Sequence, residues 1–242
     1  MQTIITSVLG LAAVASSLAI PPQDLAKRDS ISITPHDIYS SSIGVLGCKI
    51  DTNRVAYFPS MPQCDGMCLK VSANGRSVNL LHIDQSGGVS TLLALPSITQ
   101  ADTFATQAND ISYDAWNYLK TGKSATEDPT MGGGIPATYE SVDMSECSDI
   151  ITTPNKKLGL SAPNAVGFYA SCGANSWVGK NAALFNIQDP ACTLGVDEVC
   201  TLDMSVSNQP QCPTSILGSK AKLTGDAVYD IIYGTGKEQL AQ

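Results

Sequence analysis

Cys68-Leu69-Lys70-Val71-Ser72-Ala73-Asn74-Gly75-Arg76-Ser77-Val78-Asn79-Leu80-Leu81-His82-Ile83-Asp84 reads as two short strands folded back on each other. The Asn-Gly pair at the centre suits a two-residue turn whose residues both take positive φ, because that turn carries the twist of the strands it joins. Apolar residues alternate on each side of it, so Leu69 and Val71 are expected to share one face of a sheet with Val78 and Leu80. On the returning strand one apolar residue separates His82 from Asp84, which predicts that both side chains leave one face while Ile83 packs on the other.

Outward from this hairpin, residues 44–147 are short strands broken by turn residues. One strand is expected at 54–58, stopped by Pro59, and another at 137–142 after the triplet Gly132-Gly133-Gly134. Residues 31–42 are rich in Ser and Ile and read as extended. A compact helix is expected over 111–122, with Ser112 as N-cap, Asp114 in the first turn at the positive end of the dipole, and Lys120 then Gly122 as the stop. Further helices are expected over 162–170, capped by Ser161 with Pro163 in the first turn, and around 177–185, with a last strand at 227–233. No internal repeat emerges.

The chain has 242 residues, 14 Lys+Arg against 22 Asp+Glu, a formal charge of −8 and 43% hydrophobic residues. That apolar fraction argues against disorder, and an acidic chain without a basic run gains nothing from phosphate counterion release, so a nucleic-acid partner is excluded. With only His36 and His82 present, a multi-histidine metal site is excluded too, and neither a metal nor a cofactor is expected. Residues 1–19 read as a signal peptide closing on small residues, and 20–28 as a propeptide ending in the dibasic pair Lys27-Arg28. The mature chain is then expected to start at Asp29, with 29–43 as an N-terminal extension. Beyond it lie eight cysteines, Cys48, Cys64, Cys68, Cys147, Cys172, Cys192, Cys200 and Cys212, an even set that reads as four disulfides in an exported chain. The spacings Cys64-x3-Cys68 and Cys192-x7-Cys200 do not repeat as a zinc site would require.

Five segments taken in order, Cys68-Leu69-Lys70-Val71, Asn74-Gly75-Arg76-Ser77-Val78, Leu81-His82-Ile83-Asp84, Ile111-Ser112 and Val142-Asp143-Met144-Ser145-Glu146-Cys147, resemble the cerato-platanins. These are small secreted fungal proteins on the double-psi β-barrel that expansins, barwins and some endoglucanases also use. The resemblance covers about 44–147. It implies a mainly β fold, a six-stranded double-psi β-barrel with short helices, to which 148–242 adds a disulfide-bonded C-terminal α+β extension. It also implies the pairs Cys48–Cys64 and Cys68–Cys147, although Cys64-x3-Cys68 is one residue wider than the family spacing. Pairing among Cys172, Cys192, Cys200 and Cys212 stays open. Residues 89–107 have no counterpart: reverse translation accommodates a splice donor at Val89-Ser90, a branch site at Ala101-Asp102 and an acceptor at Gln107. Their removal keeps the reading frame, so we read them as a retained intron, the alternative being a true loop inserted over the binding face.

The expansin and endoglucanase branches hold a His-x-Asp pair in an open groove, with the aspartate as general acid or as an anchor for sugar hydroxyls. By that resemblance Asp84 is the candidate catalytic residue, and Asp84, His82, Tyr57 and Asn79 are the candidate ligand-binding set. The alternative readings are an Asp84 satisfied by backbone donors, a partly buried His82 and a Tyr57 packed in the core. Inverting hydrolysis needs a second carboxylate roughly 6.5–9.5 Å away. Its expected strand, Val55-Ala56-Tyr57-Phe58-Pro59-Ser60, carries no acid, and Asp51 and Asp65 fall at the wrong positions. No Gly-x-Ser-x-Gly turn occurs, and the glycine triplet lacks the Lys-Ser/Thr of a phosphate loop. Trp116 and Tyr118 read as helix core; Asp197-Glu198 and Glu127-Asp128 read as solvated, with weak calcium binding as the alternative. The expectation is therefore a secreted, monomeric, non-catalytic protein that binds cell-wall glucan or chitin or loosens the wall, with no membrane partner. One alternative is a glycosidase or lytic enzyme using Asp84 as acid and Asp110 or Asp114 as base. Another is an inhibitor or protein-binding module contacting its partner through the acidic C-terminal region.

Overall fold

The computed structural model describes residues 29–87 and 108–242. The segments read as signal peptide, propeptide and retained intron lie outside the described residues. Six strands, β1 (Asp29–His36), β2 (Val55–Phe58), β3 (Cys68–Ala73), β4 (Arg76–Gln85), β5 (Asn109–Ser112) and β6 (Ile135–Ser141), close a barrel in the order β1-β5-β2-β4-β3-β6. The β3–β4 hairpin has the register its alternation dictates, Leu69 opposite Leu80 and Val71 opposite Val78. Asn74 (φ 51°) and Gly75 (φ 75°) make the turn. β1 runs parallel to β5 and β2 parallel to β4, while the other barrel pairs are antiparallel. A closed six-stranded barrel with two crossed-over parallel pairs is consistent with the double-psi arrangement.

One boundary changes. Residues 29–43, expected to lie outside the barrel, supply its first strand: β1 fills the gap between β5 and β6, with Ile33 opposite both Asn109 and Ile135. Ile33 is fully buried with Ala56, Phe58, Leu69, Val71, Leu80 and Ile111. Helix α1 (Tyr113–Thr121) joins the same core through Trp116 and Leu119. It begins after 111 because Ile111 belongs to β5. Ser112 precedes it, with its hydroxyl turned to the Asn53 carbonyl instead of a helix amide. Gly122 ends it at φ 88°, and the Arg76 guanidinium donates to the Leu119 and Thr121 carbonyls at the helix end.

The C-terminal region contains β7 (Leu158–Ser161), α2 (Val166–Cys172), α3 (Trp177–Asn181), β8 (Ala182–Ile187), β9 (Gly195–Cys200), β10 (Tyr229–Ile231) and β11 (Glu238–Leu240). Strands β7, β8 and β9 form one sheet and β10 and β11 a hairpin. Leu158, Leu160, Leu184 and Ile187 pack with Val55, Tyr57, Leu81 and Ile83 of the barrel, so the two parts share a core. The helix expected from 162 starts at Val166 because 161–165 close as a turn, the Ala165 N–H donating to the Ser161 carbonyl. The one expected to reach 185 stops at Asn181, since residues 182–185 pair with β7 and Leu184, Phe185 and Ile187 with β9.

The disulfides are Cys48–Cys192, Cys64–Cys172, Cys68–Cys147 and Cys200–Cys212. Cys68–Cys147 is the pair the resemblance implies, whereas Cys48–Cys64 is replaced. The turn carrying Cys48 is fastened to the C-terminal region by the Gly47 N–H on the Pro190 carbonyl, and Cys64 sits at α3, where its carbonyl accepts the Val178 N–H. Two bonds therefore tie barrel to C-terminal region across 144 and 108 residues, loops long enough for each to restrict the unfolded chain by about 4–5 kcal/mol. Four disulfides fit an oxidising compartment. No helix among the described residues is long and apolar enough to cross a membrane.

Candidate functional site

Strand β4 carries a register shift beside β2: Ala56 lies opposite His82 and Tyr57 opposite Asp84, which leaves Ile83 as the extra residue. The shift undoes the simple alternation, and His82 and Asp84 go to different neighbours. The His82 ring lies 5.7 Å from that of Phe58, and the Phe58 N–H points at its Nε2 at 3.4 Å. Burial lowers the pKa of His82, partly offset by contacts with the Asp84, Phe58 and Ser60 backbone, so the ring is neutral at neutral pH. Asp84 accepts the Ser40 hydroxyl at 2.8 Å on Oδ2 and the Gln85 N–H at 2.7 Å on Oδ1. Only 9% of Asp84 and 4% each of His82 and Tyr57 is exposed.

Tyr57 also stands opposite Asp110 of β5, which stands opposite Thr34 of β1 and accepts the Thr34 hydroxyl. Two carboxylates thus flank one tyrosine along a single row. Burial raises the Tyr57 hydroxyl well above its ordinary pKa, and it donates to the Ile38 carbonyl at 3.4 Å while its ring meets His36 at 4.5 Å. The C-terminal hairpin closes over this row. Asp230 of β10 accepts the Tyr39 N–H at 2.8 Å, and the Tyr233 N–H donates to Asp37 at 3.1 Å. Burial, with the neighbouring charge of Asp37, raises the pKa of Asp230. What remains between His36, Tyr57, Tyr113 and Asp230 is a cleft of about 20 Å³, room for about one water and not for a sugar ring.

Asn79 lies elsewhere. It faces a broad groove of about 550 Å³ running between the outer face of the hairpin and α1, with Arg54, Lys70, Asp114, Tyr118 and Glu146. Asn79 pairs with Lys70 across the hairpin and donates to the Glu146 carbonyl at 3.0 Å. Arg54 donates to the Asn79 carbonyl at 3.1 Å and to Asp149 at 2.5 Å. Asp114 is engaged by the Ser124 hydroxyl and the Ala125 N–H, both at 2.6 Å. Lys70 and Glu146 form no ion pair among the described residues. Tyr118, expected in the helix core, is instead 38% exposed, one helical turn beyond Asp114 and outside the inward stripe of Ala115, Trp116 and Leu119.

Tyr118, Arg54, Lys70 and Glu146 escape the reading based on family motifs. The helical period contains the missing signal: Ala115, Trp116 and Leu119 take the inward stripe, which leaves Asp114 and Tyr118 as i, i+4 neighbours on the outer one. Of the acidic pairs, Glu127, Asp128 and Asp197 are exposed as expected, and Glu198 is half-buried. Asp197 pairs with Lys49 at 2.7 Å, and Glu198 is held at a pKa of about 2 by the hydroxyls of Ser215 and Thr214 and by Asn186. Among the described residues no three His, Cys, Asp or Glu side chains gather as metal ligands. Neither a scan against protein-family models nor a search of curated proteins finds a match to this chain.

Proposed function

We propose that this is an exported, non-catalytic protein of the cerato-platanin and expansin kind that binds cell-wall polysaccharide, glucan or chitin, in the groove between Asn79 and Tyr118. The contrast in space carries the reading: about 550 Å³ is open beside Asn79 and about 20 Å³ beside Tyr57. A sugar ring offers an apolar face and a rim of hydroxyls. Tyr118 supplies a surface for the first, and Asn79, Lys70 and Glu146 supply donors and acceptors for the second. Four disulfides suit a wall environment.

Hydrolysis is disfavoured by the same geometry. Asp84 and Asp110 flank Tyr57, but hydroxyl donors engage both, and the cleft beside Tyr57 among the described residues is too small for a sugar and an attacking water. Co-sedimentation with insoluble chitin and β-glucan tests the proposal. Wild type is expected in the pellet and Tyr118→Ala mostly in the supernatant; a wild-type protein that stays in solution with both polymers refutes it.

A further inference from the structure

A second concavity, in the C-terminal region, has different chemistry. It measures about 420 Å³ and lies where α2 meets the ends of β8 and β9, walled by Tyr169, Leu184, Phe185, Val199 and Leu202. The size falls within the range of small-molecule sites. Val199 is 50% exposed although it stands opposite the buried Phe185, so this apolar wall is covered on one side only. No Asp or Glu lines the pocket, in a chain that carries 22 of them.

Its one charged lining residue is Lys157. The backbone there is fixed from both sides: the Lys157 N–H donates to Asn155 Oδ1 at 3.2 Å, and its carbonyl accepts the Thr153 hydroxyl at 2.7 Å. The ammonium group makes no ion pair or hydrogen bond among the described residues. Lys49, by contrast, is paired with Asp197 and lies over the Phe185 ring. The Tyr169 hydroxyl is likewise without a hydrogen bond among the described residues and can donate to an anion.

We propose that this pocket binds an amphipathic carboxylate, with the hydrocarbon body against Phe185, Val199 and Leu202 and the carboxylate at Lys157. The site is independent of the sugar groove. Equilibrium dialysis of the full chain against decanoate, and against uncharged decanol, tests it. Wild type is expected to take up one decanoate saturably. Lys157→Gln weakens decanoate by about fivefold, the scale of one exposed charge pair, and leaves decanol unchanged. Val199→Trp, and separately Leu202→Trp, fills the space and abolishes uptake of both while circular dichroism stays native. No saturable uptake by wild type overturns the proposal. So does a Lys157→Gln variant that binds decanoate as wild type does, or a pair of folded tryptophan variants that still bind.

Discussion

Ser40 donates its hydroxyl to Asp84 at 2.8 Å, and the aspartate is only 9% exposed. The Gln85 amide engages the other oxygen. Asp84 thereby works as an internal clasp between the chain after β1 and the end of β4. The groove proposed above for sugar lies elsewhere, at Asn79 and Tyr118.

The first prediction concerns that clasp. Asp84→Asn keeps an acceptor for the Gln85 amide and a polar partner for Ser40, so it should cost less than about 1 kcal/mol. Urea denaturation reads the cost. Retention on chitin or β-glucan should match wild type, and a large loss would return Asp84 to the binding site.

Disulfide mapping under non-reducing conditions should recover Cys48 with Cys192 and Cys64 with Cys172. Replacing Cys48 and Cys192 together by Ser is expected to cost about 2–5 kcal/mol in denaturant unfolding. A Cys48–Cys64 peptide would show that the C-terminal region is not tied to the barrel as described.

At the hairpin turn, Gly75 takes φ 75° with open space where a Cβ would stand. Gly75→Ala therefore meets only backbone strain, about 1 kcal/mol. A lower urea midpoint with an unchanged slope checks it.

His82 sets a pH dependence. Burial depresses its folded pKa below the unfolded value of 6.5, so below that pH the unfolded chain binds a proton that the folded one refuses. This contribution is fully present above about pH 6.5 and is lost as pH falls towards the folded pKa. The loss of stability between about pH 7.5 and about pH 5.5 should be smaller in His82→Gln than in wild type. Equal slopes in the two proteins would remove His82 as the cause.

The hairpin was legible because its signals are local: an Asn-Gly pair, and alternation that only one register satisfies. The closing strand was not, since 29–36 find partners at 109–112 and 135–139, and pairing across such distances leaves no mark in a Ser- and Ile-rich run. The register shift at Tyr57 was invisible for a related reason. A bulge adds one residue without changing the pattern Leu81-His82-Ile83-Asp84, yet it separates the two polar side chains. Tyr118 was misjudged as core because an aromatic beside Trp116 and Leu119 reads as apolar, whereas the helical period places it with Asp114 on the outer stripe.

Chemical-shift mapping with soluble β-glucan and chitin oligosaccharides locates bound sugar residue by residue. Saturable shifts are expected centred on Asn79, Lys70 and Tyr118, with the amides of Tyr57 and Asp84 unmoved. Shifts centred on Tyr57 and Asp84, with the groove silent, would contradict the proposed placement.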